Sequence, residues 1–127
     1  MLLSMIFACA TKTDSGGDEG TLAPTLQNVQ TEVFTASCAF SGCHEGATSS
    51  GNLALEDGAA FANLVGIASD GVPTATRVVP ADPDASYLIL KLEAGEGIVG
   101  GQMPSVPLDA ERIQLVRDWI AQGAQDN

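Results

Sequence analysis

The sequence predicts an all-α domain of about four helices joined by long irregular loops. Apolar residues recur at helical spacing in four separate segments, capping and stop residues flank those segments, and no stretch alternates polar and apolar residues over a strand's length. Val78-Val79 comes nearest to a strand and meets Pro80 before one can form.

Helix one is expected over Thr25 to Ser37, where Leu26, Val29, Val33 and Phe34 make a single apolar stripe with polar residues between them. Leu55 to Val65 reads as a short second helix, with Asp57 as its N-cap and Gly66 as its stop. Asp82-Pro83-Asp84 supplies an N-cap, a first-turn proline and a first-turn acid for a third helix through 85–92, which places Leu88 and Leu92 on one face. In the fourth, Asp109 is the cap, Ile113, Val116, Trp119 and Ile120 recur at helical spacing, and Gly123 follows as C′. Between the third and fourth helices, 94–108 contains Gly95, Gly97, Gly100, Gly101, Pro104 and Pro107 and cannot be regular. A loop that long in so small a domain is usually functional.

With 127 residues, 45% of them apolar, the chain can bury one modest core and excludes a two-domain enzyme. Five Lys and Arg against sixteen Asp and Glu give a net charge of -11, which repels phosphate backbones and excludes nucleic acid as a partner. Residues 1–9 read as a signal remnant: Met1 to Ala8 is apolar, too short to span a bilayer, and ends in a small residue before Cys9. The missing positive n-region implies a true start upstream. Residues 10–23 are expected to be a flexible linker, because 10–21 has no large apolar side chain to bury, and 24–127 is the folded domain. Ile6-Phe7-Ala8-Cys9 resembles the lipobox of bacterial lipoproteins, which implies lipidation at Cys9 and a periplasmic or cell-surface domain held to a membrane by a lipid anchor.

Helix one runs into Cys38-Ala-Phe-Ser-Gly-Cys43-His44, which sets two cysteines beside the chain's single histidine. Zinc would lack a fourth His or Cys, since only the remote Cys9 is left. A Cys38–Cys43 disulfide can close across the Ser-Gly turn but gives His44 no role. Covalent haem gives all three a role: the thiols add to the vinyl groups, and the adjacent imidazole is an axial ligand to the iron. Gly42 lets the long Cys-x4-Cys loop bend so that both sulfurs reach one ring. Met103, in the irregular loop and followed by Pro104, offers a neutral thioether as the opposite ligand.

These features resemble a class I cytochrome c domain of the kind predicted in bacterial lipoproteins with the longer Cys-x4-Cys-His spacing. The likeness covers roughly Pro24 to Gln125, and Val78 to Leu92 is similar to the segment such domains carry before the Met loop. It implies a small helical fold around one haem c, with Cys38 and Cys43 as covalent attachment points and His44 and Met103 as axial ligands. It also implies that the first and last helices cross, with Phe34 or Val33 against Trp119.

Among the cations of the domain, Arg77 and Lys91, together with the Tyr87 hydroxyl, are the expected donors to haem propionates, whereas Arg112 and Arg117 lie farther away. Leu53, Leu55, Phe61, Leu64, Leu88 and Leu92 are the expected pocket walls, and the acidic pairs Glu56-Asp57 and Asp82-Asp84 are caps and solvated faces. The expected function is electron transfer by a membrane-tethered single-haem carrier whose acidic surface meets basic patches on redox partners. Two alternatives remain: a haem-free lipoprotein module with a Cys38–Cys43 disulfide, and a haem sensor or peroxidase-like domain with a labile sixth ligand.

Overall fold

Among the described residues four helices carry the core, and the second is much shorter than its sequence pattern suggests. A computed structural model describes residues 22–40, 42–46 and 49–127. The signal and lipobox reading of 1–9, lipidation at Cys9, and residues 10–21 of the linker lie outside the described residues.

Helix α1 covers 26–37. It is α-helical at Leu26–Val29 and Thr35–Ser37 and widens to π geometry across Gln30–Phe34. Thr25 caps it by accepting from Asn28 N at 3.2 Å. The π turn has a local partner: the buried Gln30 amide donates to Thr35 Oγ1, five residues on, and to Leu55 O, which satisfies a polar group inside the core. Leu26, Val29, Val33 and Phe34 are all buried, as the stripe predicts.

Helix α2 is only Ala60–Leu64 and corrects the expected start at Leu55. Gly58 sits at φ +84°, a left-handed backbone that no α-helix contains, so nucleation waits until Ala59, and Asp57 caps nothing. The expected stop holds, with Gly66 at φ +74°. Helix α3, Tyr87–Glu93, also starts later than expected. Asp82 caps a separate turn by accepting from Ala85 N at 3.1 Å. The buried Ser86 then breaks the helical path with extended backbone, while its hydroxyl donates to Asp82 O at 2.9 Å and accepts from Val79 N at 2.9 Å. Helix α4, Ala110–Ala121, matches its pattern: Asp109 accepts from Arg112 N, and Gly123 at φ +108° ends it. Between α2 and α3 the chain makes only single bridges, Val65 to Val78 and Ala68 to Thr76, so no strand occurs among the described residues.

The core forms where α1 and α3 pack on α4. Val33, Phe34, Val116, Trp119 and Ile120 are essentially inaccessible and belong to one apolar cluster, which is where the expected aromatic crossing would lie. Arg112 Nε donates to Glu32 O at 3.0 Å and ties α4 to the middle of α1. At the opposite flank Arg117 holds Glu93 through two parallel bonds of 2.7 and 2.8 Å and Asp84 through a third of 2.8 Å.

That fork holds the Glu93 carboxyl below the usual carboxylate range, chiefly through its hydrogen bonds from Arg117. A carboxyl depressed on folding contributes stability above its unfolded pKa of about 4.5, and that contribution fades as pH falls through the lower folded value. Arg117→Gln is therefore expected to lower the unfolding free energy by about 0.5–1 kcal/mol at neutral pH and to leave a smaller loss on acidification, checked by urea titrations at pH 7 and pH 3.5. Equal losses on acidification in both proteins would show that this pair does not set the acid limb.

Candidate functional site

The cysteine loop is built to fold back under the end of α1. Cys38 N and Ala39 N both donate to Phe34 O, at 2.9 and 2.7 Å, and Cys38 O then accepts from both Phe40 N at 3.0 Å and His44 N at 3.2 Å. Cys43 N reaches Phe40 O at 2.9 Å, and Gly42 takes φ +82°, as the expected bend requires. His44 is thereby returned beside Cys38 despite the six-residue step between them. Both cysteines are free thiols, so the disulfide alternative is not formed here.

A cavity of about 220 Å³ opens next to this loop. Cys38 and His44 line it together with Leu53, Leu55 and Leu64, α3 contributes Tyr87, Leu88, Lys91 and Leu92, and the 94–108 loop contributes Val99 and Met103. The structure thus brings His44 and Met103 to one apolar cavity from segments far apart in sequence. Cys43 does not line it and is exposed on the loop. Phe61, expected as a wall, faces a different groove, between α1 and α2, because α2 begins too late to turn it inward.

The His44 ring is oriented by a single bond: Nδ1 lies 3.0 Å from Leu53 O. A carbonyl only accepts, so Nδ1 is the donor, and in the neutral ring that tautomer leaves the lone pair on Nε2, the arrangement a metal-ligating imidazole needs. The segment that supplies this carbonyl is anchored in turn. Leu55 N donates to His44 O at 2.8 Å, Ser50 N donates to Cys43 O at 2.7 Å, and the Glu56 carboxylate accepts from Gly46 N. Burial, and secondarily the neighbouring Cys43, pushes the Cys38 thiol up to about 11, so at neutral pH it is protonated and is not an activated thiolate nucleophile.

The three expected polar donors sit at the cavity; Arg77 and Lys91 donate to protein carbonyls, and Tyr87 serves as an acceptor. Arg77, only 6% exposed, donates Nη1 to Asn63 O at 2.9 Å and Nη2 to Gly51 O at 2.8 Å, and it pairs with Asp70 at 3.7 Å. Tyr87 Oη accepts from Val99 N at 3.0 Å. Lys91 Nζ donates to Val99 O and Gly101 O. Met103 is 42% exposed, its peptide bond to Pro104 is cis, and its N donates to Lys91 O at 3.0 Å. Arg112 and Arg117 are outside the cavity, as expected.

Several contributors carried no sequence signal. Ser69, Asp70 and Gly71 line the cavity from the 65–79 segment, and the Leu53 carbonyl acts through its backbone, which every residue type possesses. Among the described residues no group of three or more His, Cys, Asp or Glu side chains could hold a metal ion. No helix among them is long and apolar enough to cross a membrane. No known protein family, curated protein or solved structure matches the chain.

Proposed function

We propose that the domain is a cytochrome c-like carrier of single electrons, with one haem c in the cavity between the cysteine loop and the Met103 loop. The observation that carries this reading is the Nδ1 bond of His44 to Leu53 O, which leaves Nε2 as ligand atom on the same apolar cavity that Cys38 and Met103 line. A porphyrin brings its own four nitrogens, so two protein ligands suffice where a bare ion would need more. Cys38, at the cavity, and Cys43, exposed on the loop beside it, would attach the haem, and His44 and Met103 would be the ligands to its iron. When bound, it supplies a one-electron couple. Leu53, Leu55, Leu64, Leu88 and Leu92 would give it an apolar surround, and two protein ligands added to the four porphyrin nitrogens would leave no position for a substrate, as a carrier requires.

Charge supports the partner class. The five basic residues of the sequence include four in the described part, and each of those, Arg77, Lys91, Arg112 and Arg117, is bound to a carbonyl or carboxylate of the domain itself. The acidic excess is left to the surface, which suits redox proteins with basic patches and association that weakens with salt. The periplasmic or cell-surface location on a lipid anchor rests on Cys9 and its neighbours alone. A second reading, a haem sensor or peroxidase-like domain, draws on the exposure of Met103, which a labile ligand would share.

The test is intact mass and the reduced absorption spectrum of the chain expressed with a cytochrome c maturation system. The expected result is a gain of one haem that resists acid extraction, with sharp low-spin bands and poor binding of carbon monoxide by the ferrous form. Colourless protein of bare polypeptide mass would reject the reading, and avid carbon monoxide binding would select the sensor.

A further inference from the structure

The 94–108 loop contains no regular structure, yet its central turn is organised around one cation. Lys91, in the last turn of α3, donates Nζ to Val99 O at 2.7 Å and to Gly101 O at 2.8 Å. Two carbonyls two residues apart can face one ammonium because Gly100 between them takes φ +77°, and a side chain there would start 3.6 Å from Nζ. Tyr87, one turn earlier on α3, accepts from Val99 N at 3.0 Å. Just beyond this turn, Gln102 Nε2 donates to Leu92 O at 2.8 Å and Met103 N donates to the carbonyl of Lys91 itself at 3.0 Å.

We propose that Lys91 is a positioning residue that fixes Met103 at the cavity by gathering the Val99–Gly101 turn around its ammonium. The inference rests on the haem reading of the cavity and adds to it what holds the sixth ligand in place. Met103 is half exposed and so gains little from packing; its position depends on the loop, and the loop's charge-assisted bonds come from Lys91. Lys91 acts through the loop and not on the iron.

The test compares haem-loaded full chain with Lys91→Met, which keeps the apolar stem and removes the donors, and with Lys91→Arg, which restores a cation able to reach both carbonyls. Imidazole affinity of the ferric form is read by absorption, since imidazole binds as Met103 leaves. Lys91→Met is expected to raise that affinity about tenfold, equivalent to about 1.4 kcal/mol, and Lys91→Arg to return it towards the parent value. Arg117→Gln, which loosens α3 from α4 elsewhere, serves as the control for general destabilisation. Unchanged affinity in Lys91→Met, or a rise matched by Arg117→Gln, overturns the proposal. A parent chain that takes up no haem overturns the carrier reading instead. In that case amide exchange at Val99 and Met103 still decides whether Lys91 organises the loop, because Lys91→Met must accelerate both for the clamp to stand.

Discussion

With haem bound as proposed, replacing His44 by Ala is expected to abolish its low-spin state altogether, while Met103→Ala is expected to keep the covalent haem and convert it to high spin. The asymmetry follows from how each ligand is held. His44 lies beside the cysteine loop, its backbone bonded to Cys38 O and its ring to Leu53 O, so its removal deletes the proposed ligand nearest the proposed attachment points together with the bond that closes the 44–53 segment. That lost bond costs about 1 kcal/mol of stability by itself, too little to unfold the domain. Met103 hangs on a separate loop, and its truncation leaves Cys38, Cys43 and His44 in place. Absorption spectra of both variants, with intact mass to count haem, separate the cases. An unchanged spectrum in Met103→Ala would show that another residue is the sixth ligand, and low-spin haem surviving in His44→Ala would remove the imidazole from the axial position.

Trp119→Ala is expected to cost about 3–5 kcal/mol, a large share of the roughly 5–15 kcal/mol that holds a domain of this kind together. Trp119 is 1% exposed, sits in the cluster with Val33 and Phe34, and donates Nε1 to Gln125 O at 2.9 Å. Truncation opens a cavity between α1 and α4 and removes the donor to Gln125 O. Trp119→Phe should recover much of the loss by refilling the volume. Urea unfolding followed by circular dichroism measures both, and a loss below about 1 kcal/mol for the alanine variant would mean that this cluster is not close-packed.

What could be read in advance depended on how locally each feature is encoded. Helix α4 was legible because its cap, its apolar spacing and its terminal glycine all lie within its own residues. The stripe of α1 was equally plain, but the π turn within it was not, since it goes with a Gln30 side chain that bonds Leu55 from another segment. The second helix was overdrawn because Leu55 is apolar for the sake of the cavity and not of a helix, and Gly58 had to choose between the two. Of the site, Cys38, His44 and Met103 declared themselves by residue type. Lys91 and Tyr87 did not declare their partners, because an ammonium fits a carbonyl eight residues ahead as well as an external carboxylate, and a hydroxyl accepts from a backbone N–H as readily as it donates.

The joining of α1 to α4 has a consequence for how the domain comes into being. Leu26 N is bonded to the Asn127 side chain at 2.9 Å across 101 residues, and Arg112 reaches Glu32 across 80. Neither short helix between them has an apolar face large enough to stand alone, so the core has no autonomous half. Contacts of such long sequence separation must wait for the loop-closure entropy to be met, so the domain is expected to fold as one unit, its first helix lacking its Val116, Trp119 and Ile120 partners until α4 has been synthesised.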